Sequence, residues 1–252
     1  MTIDEQITGQ INSMKLANTM KAVHSFASKH VAVIDSILPP QLFEELRAEA
    51  RALLQKEARR RETTIEESGN TPRAYLSVGR DALAKSSRVI PKIFANEALR
   101  EFLSHVAGET LERVPYQPEE YILNCQSTAG DTHGWHWDDY SYALIMVLDA
   151  PDPLLGGRIE YLPNVEWQRE NTESYLRDVL SRRQIESIHV GAGQTYFMKS
   201  NTTLHRVAPL AGHTTRSVVV FTYASAEDMV SDSITHTSME AIYPEASAAP
   251  AI

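Results

Sequence analysis

His136 and Asp138 stand two residues apart in Thr132-His133-Gly134-Trp135-His136-Trp137-Asp138, just ahead of the apolar run 142–148. His205 follows far downstream, in Leu204-His205-Arg206-Val207-Ala208-Pro209. Two imidazoles and one carboxylate are a ligand set that holds a non-haem Fe(II) on one face and leaves the opposite positions open. Side chains at i and i+2 of a strand share a face, so His136 and Asp138 grip one ion together if the segment is extended, with Trp137 turned elsewhere. By the same alternation Asp139 points away from Asp138. His133 competes as first ligand, but its i+2 neighbour is Trp135, which cannot ligate.

Three protein ligands leave three positions for a bidentate 2-oxo acid and for dioxygen. Arg216, at the head of the β-forming Ser217-Val218-Val219-Val220-Phe221-Thr222-Tyr223, has the planar fork that pairs with the distal carboxylate of 2-oxoglutarate. Whether Ser217 or Thr222 supports it depends on strand register. Alone, His-x-Asp is a common chance pairing, and a histidine at a strand start is ordinarily structural. The metal reading is carried by the order His-x-Asp, β-rich interval, His before Val and Pro, and Arg at the next strand.

The chain of 252 residues is long enough for one large barrel or sandwich and is read as a single domain. Asp and Glu number 33 against 24 Lys and Arg, which argues against a partner gripped through nucleic-acid phosphates and suits a small, cationic ligand. Cys125 is the only cysteine, so neither an internal disulfide nor a thiolate metal cluster is available, and a reducing cytoplasm is the expected setting. The first ten residues lack the pattern of a signal peptide, and no apolar run is long enough to span a bilayer. The expected protein is soluble, without a membrane partner.

The elements that must position these residues divide at about residue 115. Met14, Leu16, Met20, Val23 and Phe26 recur at helical spacing and predict one amphipathic helix over the first thirty residues. Residues 30–34 read as a short buried strand. Leu38-Pro39-Pro40 then opens a helix with Leu42, Leu46, Ala50, Leu53 and Leu54 on its apolar face. The mixed charges of 56–67 read as a solvated helix end and a mobile loop. Strands are predicted at 121–125, 142–148, 158–162, 185–190, 194–198, 203–207 and 217–223, with turns at Gly156-Gly157 and Gly191-Ala192-Gly193. A helical insertion, 166–182, carries Trp167, Tyr175, Leu176, Val179 and Leu180 on one side. About four strands and this insertion fit between His136 and His205, as a double-stranded barrel requires. Residues 246–252 are expected to be disordered.

With these residues in view, the chain resembles the Fe(II)/2-oxoglutarate-dependent oxygenases over about 121–223, with His136, Asp138 and His205 as facial triad and Arg216 as co-substrate anchor. Val31 to Leu38 echoes the strand that enters a Leu-Pro turn in that family. Thr132 to Trp137 looks like the small bacterial enzymes that halogenate or hydroxylate free amino acids, lysine above all. The resemblance implies an α+β fold: a double-stranded β-helix, or jelly-roll and cupin-like barrel, flanked by N-terminal helices. Residues 1–245 are then one oxygenase domain, with a helical part over about 1–115 and the jelly-roll core over about 116–226. Halogenases of this group have a small residue where this chain has Asp138, which points to the hydroxylating branch. The co-substrates implied are 2-oxoglutarate and O2, on Fe(II).

For the substrate, the resemblance implies that Arg73 takes an amino acid carboxylate and that Glu119, His133 and Asp139 surround its polar and ammonium groups. Two acidic groups in a closed pocket then favour a ligand with two ammonium groups, because an unpaired buried carboxylate is costly. Duller readings stand beside these. Arg73 follows Asn70 and Pro72, which make its segment loop-like; Glu119 adjoins Glu120 in a solvated pair; His133 is a structural histidine; Asp139 accepts from a turn. The halogenases' aromatic lid near the C-terminus has no tryptophan here after Trp167, leaving Tyr243 or a partner subunit in a homodimer to supply it. Rival readings are a hydroxylase of a peptide or carrier-bound amino acid, a radical halogenase, and a non-enzymatic cupin-like binding module.

Overall fold

The run 142–148 is apolar at every position because its strand is buried on both faces. In the computed structural model, which describes residues 1–35 and 37–244, Ala143, Ile145 and Val147 face the inside of a curled sheet. Leu144, Met146 and Leu148 face a layer of helices. The elements in chain order are α1 (Ile3–Asn12), α2 (Leu16–Lys29), β1 (Val31–Asp35), α3 (Pro40–Glu57), β2 (Arg59–Ile65), β3 (Thr71–Val78), α4 (Arg80–Ser86), α5 (Ile90–Ala95), α6 (Glu97–Ala107), β4 (Glu112–Arg113), β5 (Tyr121–Gln126), β6 (Thr132–His136), β7 (Tyr142–Asp149), β8 (Ile159–Pro163), α7 (Thr172–Arg182), β9 (Glu186–Ile188), β10 (Gln194–Lys199), β11 (Thr203–Val207), β12 (Arg216–Ala224) and α8 (Thr237–Ile242).

The strands pair antiparallel in the order β1-β10-β7-β12-β5-β3-β6-β11-β8-β9, with β2 added to β3 and β4 to β12. One edge of β3 serves two neighbours. Arg73 and Ala74 pair with β6, and Leu76 to Val78 pair with β5. The ladder therefore folds over at β3, so that β6-β11-β8-β9 lies against the longer half as in a double-stranded β-helix. The expected α+β jelly roll is the fold observed.

Close approach at this fold-over needs glycine. A Cβ on Gly134 would lie 2.7 Å from the Pro72 carbonyl oxygen. Across the helical layer, Phe26 of α2 stacks on Phe197 at 4.8 Å, and Phe197 stacks on Tyr142 at 5.5 Å, which pins the N-terminal helices to the outer face of β10 and β7.

Several expectations are corrected. The first thirty residues form two helices, because α1 ends at Asn12 and the chain turns at Ser13 before α2 begins. The helical spacing runs through the turn, but Leu16 and Met20 are exposed while Ile7 and Ile11 supply the buried face. The charged run 56–67 is not a loop. It contains β2, an edge strand whose buried positions are Arg61 and Ile65, and charge on an edge strand guards it against further pairing. Arg73 lies in β3 rather than in a loop. The helical insertion begins at Thr172, leaving 166–171 non-helical, and the strand expected over 185–190 is confined to β9.

The division near residue 115 also falls, since β1 to β4 precede it and join the sheet. The tail 246–252 lies outside the described residues. Phe197→Ala, at a fully buried position, is expected to cost about 3–5 kcal/mol. Denaturant unfolding measures this, and a loss under about 1 kcal/mol would contradict the packing described.

Candidate active site

His136 and His205 are directly opposite each other in the β6–β11 ladder. That register brings their rings to a centroid distance of 4.1 Å. His136 Nδ1 lies 2.7 Å from the Gly134 carbonyl oxygen, and His205 Nδ1 lies 2.8 Å from that of Thr203. If each Nδ1–H donates to its carbonyl, the tautomer is fixed and Nε2 carries the free lone pair. Both Nε2 atoms approach one carboxylate oxygen, Asp138 Oδ1, at 3.5 and 3.8 Å. With metal–ligand bonds of about 2.0–2.2 Å, atoms roughly 4 Å apart can share one ion. The donor set fits a divalent cation.

Strand alternation does not place Asp138, because β6 stops at His136. The chain leaves the ladder there, and the Asp138 amide donates to the Ser200 carbonyl at 3.3 Å. Trp137 is drawn the other way, its indole donating to the Val165 carbonyl at 2.6 Å and its ring packed in the cluster of Leu162, Leu176 and Leu204. Outside a regular strand the opposite-face argument for Asp139 fails, and Asp138 and Asp139 line the same cavity.

Burial holds His136 well below the usual imidazole pKa, with His205, His133 and Arg73 nearby adding to the effect. His133 is lowered in the same way by burial. Its ring is sandwiched between His136 at 4.1 Å and Tyr75 at 5.0 Å, so His133 lines the cavity beside the triad without joining it.

Arg216 is buried at the start of β12 and lines the cavity. Its guanidinium donates to Gln126 Oε1 at 3.3 Å and to Tyr196 Oη at 3.2 Å, both neutral. The register question resolves against Ser217, whose hydroxyl turns to Asp149 at 2.6 Å, while Thr222 shares the cavity face with Arg216. Arg73 is also buried, but it does not line the cavity. Its terminal nitrogens donate to Thr71, Pro72 and Ser68, all neutral acceptors, and burial lowers its pKa to about 10.

Glu119 and Asp139 share the cavity with the triad, but each already has a partner within the protein. Glu119 Oε1 is 2.8 Å from His236 Nδ1, and Asp139 Oδ1 accepts from Arg169 at 2.8 Å. Burial pushes the Glu119 carboxyl up to about 7 despite the His236 bond, and that bond raises His236 above its ordinary value. Burial also raises Asp139 against the pull of Arg169. Each carboxylate thus has a partner within the protein, a guanidinium for Asp139 and an imidazole for Glu119, which weakens the call for two ligand ammonium groups. Each spends one oxygen on that partner.

Glu119, Asp139 and His236 form a second group able to hold a metal among the described residues. Its members are consumed by these pairings, whereas the free nitrogens of the triad converge on a single oxygen. Glu120, the rival of Glu119, is bound by Arg80 at 2.7 Å.

Tyr243 is buried and lines the cavity with Ser238, Met239 and Ile242 of α8. Its hydroxyl donates to Asn124 Oδ1 at 3.3 Å. Sequence reasoning missed His236, Tyr196, Gln126 and Asn124. The last two carried a signal, being polar at alternate positions of a buried strand. His236 carried none.

The Halogenase D family matches residues 14–244. No curated protein matches by sequence. Among solved structures, the fold is similar to the non-heme alpha ketoglutarate dependent carbocyclase SnoK from nogalamycin biosynthesis, at TM-score 0.64 and 14% identity over 86% of each chain. It is similar to the epimerase SnoN from the same biosynthesis, at 0.61 and 16% over 84% of each. A Pseudomonas putida prolyl-4-hydroxylase matches at 0.54 and 16%, over 81% of this chain and 98% of its own. These identities speak to the fold.

Removal of one imidazole should disable the metal centre without unfolding the protein. His205→Ala is expected to lose at least tenfold in affinity for Fe(II), or for Co(II) as its spectroscopic substitute, with circular dichroism unchanged. Unaltered affinity in equilibrium dialysis would exclude His205 as a ligand.

Proposed function

The chain belongs to the Halogenase D family, and on that premise we propose that it is an Fe(II)- and 2-oxoglutarate-dependent oxygenase that hydroxylates an unactivated aliphatic carbon of a free basic amino acid, lysine above all. The observation that carries this reading is Asp138, a carboxylate within 3.8 Å of both imidazoles, where a halide-binding centre needs an open position. When bound, the ion with 2-oxoglutarate and dioxygen supplies the oxidising power that replaces C–H by C–OH, yielding succinate and carbon dioxide.

The residues of the chain supply position and charge. His136, His205 and Asp138 hold the ion, the histidines as neutral imidazoles. Arg216 pairs with the distal carboxylate of 2-oxoglutarate, and Gln126 and Tyr196 fix its plane. Arg73 provides positive charge for the substrate carboxylate, and His133 walls that part of the cavity. The oxygens of Glu119 and Asp139 not used by His236 and Arg169 accept from a substrate ammonium. Ile145, Val218 and Val220 give the cavity an apolar wall that suits an aliphatic chain and excludes water. The reducing interior of a cell remains the proposed setting; among the described residues no helix is long and apolar enough to cross a membrane.

Incubation with lysine, ornithine and arginine, Fe(II), 2-oxoglutarate and oxygen should give a product one oxygen heavier from at least one of them. Absence of any such product, with no succinate formed, would overturn the proposal. The family's name favours a second reading, radical halogenation. A chlorinated product that requires chloride, formed with Asp138 intact, would establish it.

Lysine recognition should also depend on pH. Glu119 is protonated below about 7 and gains its charge above it. An ammonium binds the charged form, so KM for lysine is expected to fall between pH 6 and 8. Glu119→Gln should flatten that profile, and an unchanged profile would remove Glu119 from the ammonium site.

A further inference from the structure

Two donors beside the cavity have no acceptor. Arg73 Nε and Tyr75 Oη are both shielded from solvent, and neither has a hydrogen-bond partner. Arg73 is 2% exposed and Tyr75 1%. They occupy i and i+2 of β3 and so share one face of the strand. Tyr75 lines the cavity that contains the triad, whereas Arg73 does not. A buried donor left without an acceptor is costly, and a buried guanidinium whose partners are all neutral is more so. An anion placed against Tyr75 would accept from its hydroxyl and lie within the field of the nearby Arg73 guanidinium.

We propose that Tyr75 is a substrate-binding residue whose hydroxyl donates to the carboxylate of the amino acid, with the charge of Arg73 behind it. The pair selects a free carboxylate over the amide or thioester of a peptide-bound or carrier-bound residue, because neither neutral group offsets the guanidinium. The stack of Tyr75 on His133, and of His133 on His136, sets this corner at a fixed distance from the metal ligands. A carboxylate held there orients the aliphatic chain relative to the triad. The inference rests on the amino-acid reading above and adds the residue that distinguishes a free acid from a tethered one.

The test is Tyr75→Phe, read in two ways. Without ligands the variant is expected to melt no lower than the parent, since the hydroxyl removed has no protein partner. A fall of several degrees would make the hydroxyl structural and overturn the proposal. In anaerobic calorimetry on protein loaded with Fe(II) and 2-oxoglutarate, lysine is expected to bind the variant roughly ten- to a hundredfold more weakly. Its decarboxylated analogue, 1,5-diaminopentane, is expected to bind both proteins alike. Equal weakening of both ligands, or of neither, overturns the proposal. If the parent binds neither ligand, the amino-acid reading fails by itself, and acetate then decides the role of Tyr75. Tighter acetate binding to the parent than to Tyr75→Phe retains the carboxylate site, and equal binding removes it.

Discussion

The cross-strand pairing of His136 with His205 is the constraint on which the site depends. Two imidazoles gain nothing from being pressed together, and burial opposes the protonation of His136. The β6–β11 ladder forces the approach, and the carbonyls of Gly134 and Thr203 turn both rings so that their free nitrogens meet Asp138. A one-residue slip in that ladder would send one ring to the opposite face and separate the ligands. Gly134 serves twice, since its carbonyl orients His136 and its missing side chain admits the backbone of β3.

Around this centre the cavity is organised by buried charges of both signs. Arg216 and Arg73 are buried cations with neutral partners, a costly state that a bound carboxylate relieves. Asp139 is instead paired with the Arg169 guanidinium, and Glu119 is hydrogen-bonded to His236. The asymmetry refines the simple view in which two acidic groups demand two ammonium ions. Of the two arginines Arg216 lines the cavity and Arg73 lies behind its wall, and Glu119 and Asp139 each engage their protein partner through one oxygen. His236 stacks on Tyr116 at 3.9 Å just before α8, so the acidic corner and the segment covering the cavity are mechanically joined.

The parts legible in advance share one property: their signal is local and periodic. The alternating and apolar runs located β5, β7, β10, β11 and β12 to within a residue at either end, because a strand buried on one or both faces must show its burial in composition. Arg216 at the head of β12 followed from the same pattern. Where the signal was absent the reading failed. The strand β2 is an exposed edge rich in charge, and its stability comes from pairing with β3, which no local pattern records. The turn between α1 and α2 contains neither glycine nor proline, so helical spacing passed through it unmarked.

The sequence by itself determined the candidate ligand types, their order and a β-rich sandwich or barrel core, because side-chain chemistry and period-two burial are properties of short segments. Tertiary structure alone decided that Asp138 reaches the histidines from outside a strand and that Asp139 turns into the same cavity. It also decided that His236 closes on Glu119 across 117 positions of chain. Each of these depends on where distant backbone lies, through a hydrogen bond to Ser200 or an ion pair with Arg169, and such long-range partners leave no period to read.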